Sequence, residues 1–510
     1  MSSKAKAFKN LMFSSAGIYV ESFFAMVMSI IIARVLGPES YGNYALIIWM
    51  CALGIRITNG GVTTALIKFV SECRVKYEEN ISSTVRYLRK IQLTKLAIVL
   101  SSFLIFFLLF QDKFYKDITL DIFLLLLFVI VLRAFYMFYV SLSKGFENFK
   151  ATAAISAIAS PLHLLLVIAA ALISDTLLVF VIVYALSAIV YLLVSRNIAL
   201  SWCEFESNDL QLPDQMKKRI KKHVTIVMIN TLLLFLITKE SELLFLKYYS
   251  DGDDLGFFKV AHRLGFAIAM LLPGIFEGIM LPLMSGSIAK SKEMAVTRFT
   301  ESLKYVMIMA IPSALFCSIF AHEIIFVLYG EEYSRAVMPF VILVATCCIC
   351  SIASVPTSYL LSVDKQSLIL KVMLVGTALK LSLDFYLVSQ YGLMGAAFAF
   401  SISFTFMFLA NLFIATRHLG ASFPWQQLFK VVFAAVVCIG AILIIPETIY
   451  PNEFLKLAIS SIIFALLYLL MTLLLRCWRN EEIKYIRGKM AATNLVALKP
   501  LDVLLSWASK

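Results

Sequence analysis

Charge is scarce in this sequence: Asp, Glu, Lys and Arg together make up 15% of its 510 residues, while 61% are hydrophobic. At a mean hydropathy of +0.89, too little polar surface remains to cover a water-soluble domain of useful size. Metal and disulfide frameworks are also missing. The nine cysteines lack the spacing and partners of either. Several, such as Cys347, Cys348 and Cys350, sit inside apolar runs and read as small buried side chains. There is no glycine-rich phosphate loop and no nucleophile elbow, so catalysis has no visible equipment and no enzyme is expected. The formal net charge of +13 raises nucleic acid as a partner, but the basic residues are scattered among short loops and form no stripe, which argues against it.

What the chain does have is about fourteen apolar stretches of roughly 20 residues, the length a hydrocarbon core about 30 Å thick requires. They fall at 11–33, 44–67, 91–110, 119–143, 151–173, 176–199, 223–246, 257–284, 302–321, 336–361, 367–388, 393–416, 426–446 and 454–476. The fold class is therefore an all-α, polytopic membrane protein. The first stretch follows Lys4, Lys6 and Lys9 and is too long for a cleaved signal core, so it reads as the first span. With both termini cytoplasmic, the inner segments hold about 28 Lys and Arg and the outer loops about five, as positively charged short loops require. One span more or fewer would spoil that alternation.

The longest internal connection, 200–222, ends in Lys217, Lys218, Arg219, Lys221 and Lys222 and reads as a cytoplasmic linker. It separates an N-terminal six-helix lobe at 1–199 from a C-terminal six-helix lobe at 223–416. Two further helices occupy 417–476, and a basic cytoplasmic tail follows at 477–510. YGNYAL at 41–46 opens span two and LGFFKV at 255–260 opens span eight. An echo at matching positions suggests two pseudo-symmetric repeats.

Several spans carry ionisable residues, each costing about 2.5 to 3.5 kcal/mol at the bilayer centre, so each needs a partner, a wet cavity or a function. Glu21 on span one and Arg56 on span two both lie near the midplane at a rise of about 1.5 Å per residue. Span seven carries Lys239, Glu240 and Glu242, facing Lys259, His262 and Arg263 on span eight. Arg133, His163 and Lys380 also come near the centre, and Lys380 and Asp384 share a helical face. One reading is structural pairing: Glu21 with Arg56, Glu242 with Lys259, and Lys380 with Asp384. The other is a hydrated cavity lined by cations, suited to an anionic substrate. His163 reads as a packing residue. Pro273, Pro282, Pro339 and Pro356 are expected to kink spans.

RVLGPESYGNYAL at 34–46 resembles the signature of the polysaccharide biosynthesis proteins, the Wzx-type O-antigen and oligosaccharide-lipid flippases. LGFFKVAHRLGFAIAMLLPGIFEGIMLPLMS at 255–285, LYGEEYSRAVMPFVIL at 328–343 and YGLMGAAFAFS at 391–401 resemble the same family, in the expected order. The resemblance implies the fold of the multidrug/oligosaccharidyl-lipid/polysaccharide exporter superfamily. That fold has two six-helix lobes around a V-shaped, alternating-access cavity, and spans thirteen and fourteen match its two extra helices. It also implies a cargo of oligosaccharide on an undecaprenyl-pyrophosphate carrier, moved across a bacterial cytoplasmic (inner) membrane. Membrane lipids, a polysaccharide polymerase and a chain-length regulator would be its partners. Cationic cavity residues receive the head group in such relatives, and helix depth nominates Arg56, Arg133, Arg263 and Lys380. Glu21, Lys239, Glu240, Glu242 and Asp384 are candidates for ion coupling or structural pairing. No cofactor is expected beyond coupling to a proton, a sodium ion or the membrane potential. Two alternatives stand beside this: a multidrug exporter of the same fold, and a polymerase or ligase. The latter usually carries a large external loop, and here the longest external connection is about a dozen residues.

Overall fold

An apolar run in hydrocarbon has no water to bond, so its backbone must satisfy itself, which a helix does within one segment. The computed structural model describes residues 3–114, 118–148, 150–201, 212–250, 252–271, 277–446 and 451–478. Among these residues every regular element is helical, and ten helical segments are long and apolar enough to cross a membrane. The side chains of Lys4, Lys6, Lys9 and Pro282, residue Pro273, residues 202–211 of the expected linker and the expected tail from 479 lie outside the described residues.

The helices divide into two compact units. The first comprises Met1–Lys259 and Leu381–Ala396. It holds α1 (Ser3–Asn59), α2 (Val62–Lys76), α3 (Ile81–Phe114), α4 (Leu120–Gly145), α5 (Lys150–Ile173), α6 (Leu177–Leu200), α7 (Asp214–Thr238), α8 (Glu242–Tyr249) and the start of α9 (Gly252–Leu271). The expected spans one and two are the two arms of α1, joined at Gly37 with no loop. Gly37 takes φ 71°, which costs glycine little, and Pro38 suits the first position of the second arm.

Span two was expected to run unbroken over 44–67. Instead it stops at Asn59, and Gly60 and Gly61 (φ 77°) interrupt it before α2. A Cβ on Gly61 would lie 2.7 Å from Val224 Cα, so the break lets the α7 backbone press against this point. The freed polar groups are tied down. The Asn59 amide donates to the Ala134 carbonyl at 3.1 Å, the Gln92 amide donates to Asn59 Oδ1 at 2.7 Å, and Lys95 Nζ donates to the Gly60 carbonyl at 2.8 Å.

The two echoed motifs meet. A Cβ on Gly42 of YGNYAL would lie 2.7 Å from both Gly256 N and Leu255 Cβ, and one on Gly256 of LGFFKV would run into the Pro38 carbonyl. Small residues let helix backbones approach in this way where lipid offers no hydrophobic drive to association.

The second unit comprises Val260–Lys380 and Ala397–Lys510. It contains α10 (Glu277–Ile288), α11 (Lys292–Ile319), α12 (Ala321–Tyr329), α13 (Val337–Ser351), α14 (Ser354–Ser362), most of α15 (Gln366–Leu383) and of α16 (Ser389–Leu419), α17 (Trp425–Leu443) and α18 (Glu453–Leu474). Pro339 and Pro356 do not kink the middle of a helix. They sit in the first turns of α13 and α14, where a missing N–H costs nothing, and the expected span 336–361 is divided between those helices. A π-helical turn, Asp384–Val388, leads from α15 into α16. There Gly392 (φ 50°) makes a second loopless joint like that at Gly37. Within the second unit α18 is fastened by Tyr468, which donates to the Ile308 carbonyl at 2.9 Å, and by Lys456 paired with Glu323 at 2.9 Å. An apolar cavity of about 750 Å³ lies among α11, α13, α16 and α17, lined by Met307, Ile311, Phe408, Leu412, Trp425 and Leu428 among others.

Candidate functional site

Two clusters of charged and polar side chains stand inside the apolar helices of the first unit. The first is built on Arg133 of α4. α6 presents Tyr184, Ser187 and Tyr191 at positions i, i+3 and i+7, which places all three on one face. The Arg133 guanidinium carbon lies 4.3 Å from the Tyr191 ring centre, 5.0 Å from Tyr184 and 5.9 Å from Tyr136, one turn further along α4. Such cation–π contacts stabilise a desolvated cation by about 2 kcal/mol. Nη2 donates to Ser187 Oγ at 3.1 Å, and Ser187 in turn donates to the Tyr184 carbonyl at 2.7 Å. On α5, Ser160 shares a 2.9 Å hydrogen bond with the Tyr191 hydroxyl. Arg133 Nε and His163 Nε2 are buried with no hydrogen-bond partner among the described residues.

Glu21, exposed on α1, lies within Coulombic reach of Arg133 and Lys144. Among the described residues no ion pair joins Glu21 to either cation. The pairing of Glu21 with Arg56 is not formed among the described contacts. Arg56 sits in the last turn of α1, exposed, close to the Gly60–Gly61 break. Arg56 thus stands at the end of its helix and not at mid-helix as supposed.

The second cluster forms where the chain unwinds between α7 and α8. Lys239 is extended (φ −118°, ψ 101°), and its carbonyl, freed from the helix, accepts from the Trp49 indole N–H at 3.0 Å. Unwound backbone at membrane depth persists only when protein satisfies it in this way. Glu240 pairs with Lys259 at 2.7 Å, and the Ser241 hydroxyl donates to Asp384 Oδ2 at 3.1 Å. Glu240, Ser241, Glu242 and Asp384 are all buried. The expected partner of Lys259 was Glu242, but the unwinding rotates Glu240 into that place.

Of the remaining candidates, Arg263 is half-buried on α9 and Lys380 is one of the largest fully buried side chains. Among the described residues no three His, Cys, Asp or Glu side chains gather as a metal site would. Helix depth missed the tyrosines and serines around Arg133, because each alone is an ordinary residue in a span. The i, i+3, i+7 spacing of Tyr184, Ser187 and Tyr191 was the available signal.

The sequence model of the polysaccharide biosynthesis protein family matches residues 7–288, more than half of the chain. The chain belongs to that family. The matched stretch contains the Arg133 cluster and the unwound segment with Lys259, whereas Lys380 and Asp384 lie beyond it. A curated relative, the probable low-salt glycan biosynthesis flippase Agl15 of Haloferax volcanii, is 21% identical over 248 residues, 48% of this chain and 50% of that protein. The chain thus spans half the length of that relative. Among solved structures, the lipid II flippase MurJ in an inward closed conformation matches with a TM-score of 0.71 at 14% identity, covering 90% of this chain and 98% of that one. An inward-facing MATE family multidrug resistance transporter matches with a TM-score of 0.61 at 13% identity, covering 78% and 94%. These likenesses show that this polysaccharide biosynthesis protein shares the helical fold of the MurJ and MATE structures.

Proposed function

We propose that this protein is a flippase that carries lipid-linked oligosaccharide, an O-antigen, capsule or exopolysaccharide repeat unit on undecaprenyl pyrophosphate, from the inner to the outer leaflet of a bacterial cytoplasmic membrane. It acts by alternating access and performs no covalent chemistry. The observation that carries this reading is charge held inside apolar helices of a polysaccharide biosynthesis protein: Arg133 among its tyrosines, and Glu240 with Lys259 at the unwound end of α7. Intramembrane charge on this scale is a functional expense that a purely structural bundle would not carry.

In this reading the chain crosses the membrane fourteen times with both termini cytoplasmic. Its lobes are 1–199 and 223–416, joined by the linker 200–222, with helices thirteen and fourteen at 417–476 and a tail at 477–510. Arg56, Arg263 and Lys380 offer the positive charge that a pyrophosphate needs, and Arg133 a donor for its sugars, since each polar group would otherwise cost several kcal/mol in hydrocarbon. Moving about two negative charges outward, with the cations staying in place, would release roughly 4 to 5 kcal/mol per 100 mV. Glu21, or the Lys239, Glu240, Glu242 and Asp384 group, would couple a proton or sodium ion. A polymerase and a chain-length regulator would receive the product.

The MATE likeness supports a second reading, an exporter of cationic drugs. Four cations in the spans weigh against it, because like charges repel most strongly where water is excluded.

The test is a deletion strain carrying wild type or Arg56→Ala, with radiolabelled lipid-linked oligosaccharide followed by leaflet in membrane vesicles. Intact units retained on the cytoplasmic leaflet without the protein, and with Arg56→Ala, are the expected result. Units that reach the outer leaflet unpolymerised would point to a polymerase. Normal glycan with lost drug resistance would point to the exporter.

A further inference from the structure

The Arg133 cluster is poorly suited to the charge assigned to it by helix depth alone. A guanidinium that grips phosphate needs its planar fork open, so that two parallel N–H groups can meet two oxygens. Here one face of Arg133 is covered by the Tyr191 ring at 4.3 Å, Nη2 is engaged with Ser187, and Nε is buried. The site is half-buried and not sealed: Arg133, Tyr136 and Tyr184 are each partly accessible.

What the cluster offers is a mixed set of hydrogen-bonding groups beside aromatic surface. Arg133 only donates, and the hydroxyls of Tyr136 and Tyr184, which have no hydrogen-bond partner among the described residues, donate or accept. A ligand matched to this set carries several neighbouring hydroxyls, each able to accept from the cation and to donate to or accept from a phenol. It also carries a C–H face to lie against tyrosine edges and rings. A sugar ring has both properties. A few convergent polar groups among apolar and aromatic walls is also the usual make-up of a small-ligand site.

We propose that Arg133, Tyr136 and Tyr184, braced by Ser187 and Tyr191, form a glycan subsite that holds one sugar unit of the cargo, while the pyrophosphate is held by other cations. This rests on the flippase reading above. The shared chemistry is a pyranose ring, which could be presented by the lipid-linked cargo or by a free saccharide. The cargo is the source proposed.

The test measures binding to the full-length protein in phospholipid nanodiscs, free of sugar-based detergent. Two lipids are compared: undecaprenyl pyrophosphate bearing the repeat unit, and undecaprenyl pyrophosphate alone. A free oligosaccharide of the same composition serves as competitor. The variants are Tyr136→Phe/Tyr184→Phe, which keeps both rings, and Arg56→Ala. The tyrosine variant should weaken the glycan-bearing lipid about tenfold, as two lost hydrogen bonds would, and leave the bare pyrophosphate lipid within about twofold. Arg56→Ala should weaken both lipids alike. Equal loss for both lipids with the tyrosine variant, or no loss for either, would overturn the subsite. Displacement by free oligosaccharide with no preference for the lipid-linked form would also overturn it, by making a free saccharide the ligand. Wild type that binds neither lipid above a phospholipid control would instead remove the flippase reading. Unchanged thermal unfolding of the variant separates lost contacts from a lost fold.

Discussion

Lys259 and Glu240 meet at 2.7 Å with side chains only 17% and 10% exposed, so neither charge can return to water when the other is removed. Breaking such a pair costs about 3 to 5 kcal/mol, while replacing both members with apolar residues of similar volume is often neutral. Lys259→Met alone should therefore lower the thermal midpoint of the purified protein sharply, and Glu240→Met/Lys259→Met should recover most of the loss. A double variant no more stable than the single would mean that the pair does not act as a unit. Arg219 and Glu72 make the opposite case. They are joined by two hydrogen bonds of 3.0 and 3.1 Å, but the Arg219 side chain is 55% exposed. Glu72→Ala should cost no more than about 1 kcal/mol in the same measurement.

Helices here are joined and packed through glycines, and the glycines are not interchangeable. A methyl on Gly256 meets the Pro38 carbonyl, whereas one on Gly286, near the end of α10, has nothing within 4 Å. Gly256→Ala should destabilise the protein by about 1 to 3 kcal/mol through overpacking. Gly286→Ala should be neutral or stabilising by about 0.5 to 1 kcal/mol, because alanine lowers the entropy of the unfolded chain and suits a helix. Thermal unfolding of the two variants side by side checks both, and an equally tolerated Gly256→Ala would argue against the close crossing of the two echoed motifs. The same crossing explains why a short repeat is visible in an otherwise variable apolar sequence. Most span positions need only be apolar, while a backbone-to-backbone approach accepts only glycine.

For the whole molecule, the distribution of Lys and Arg sets which loops face the cytoplasm. In a variant whose nine natural cysteines are replaced, Glu39→Cys should react with a membrane-impermeant maleimide in intact cells, and Lys222→Cys only after permeabilisation. Both positions are exposed, so a failure to react would report sidedness and not burial. The reverse labelling pattern would invert the topology proposed for every loop.

The all-helical membrane class, the family and the order of its motifs were legible from the sequence alone, because hydrocarbon thickness dictates apolar run length and a few turn glycines tolerate no substitute. The identity of the charged residues was legible too, because each stands out against an apolar background. Their partners were not. Glu21 was matched to Arg56 by depth but lies within Coulombic reach of Arg133 and Lys144, and Lys259 was matched to Glu242 but takes Glu240. Depth counting assumes an unbroken helix, and the chain breaks at Gly60–Gly61 and at Lys239–Ser241. Those breaks are held by groups distant in sequence: the α7 backbone at Val224, and the Trp49 indole on the Lys239 carbonyl. The run of apolar residues determined where helices form, and only tertiary packing decided where they stop and which charges meet, since both depend on a neighbour able to satisfy the freed backbone.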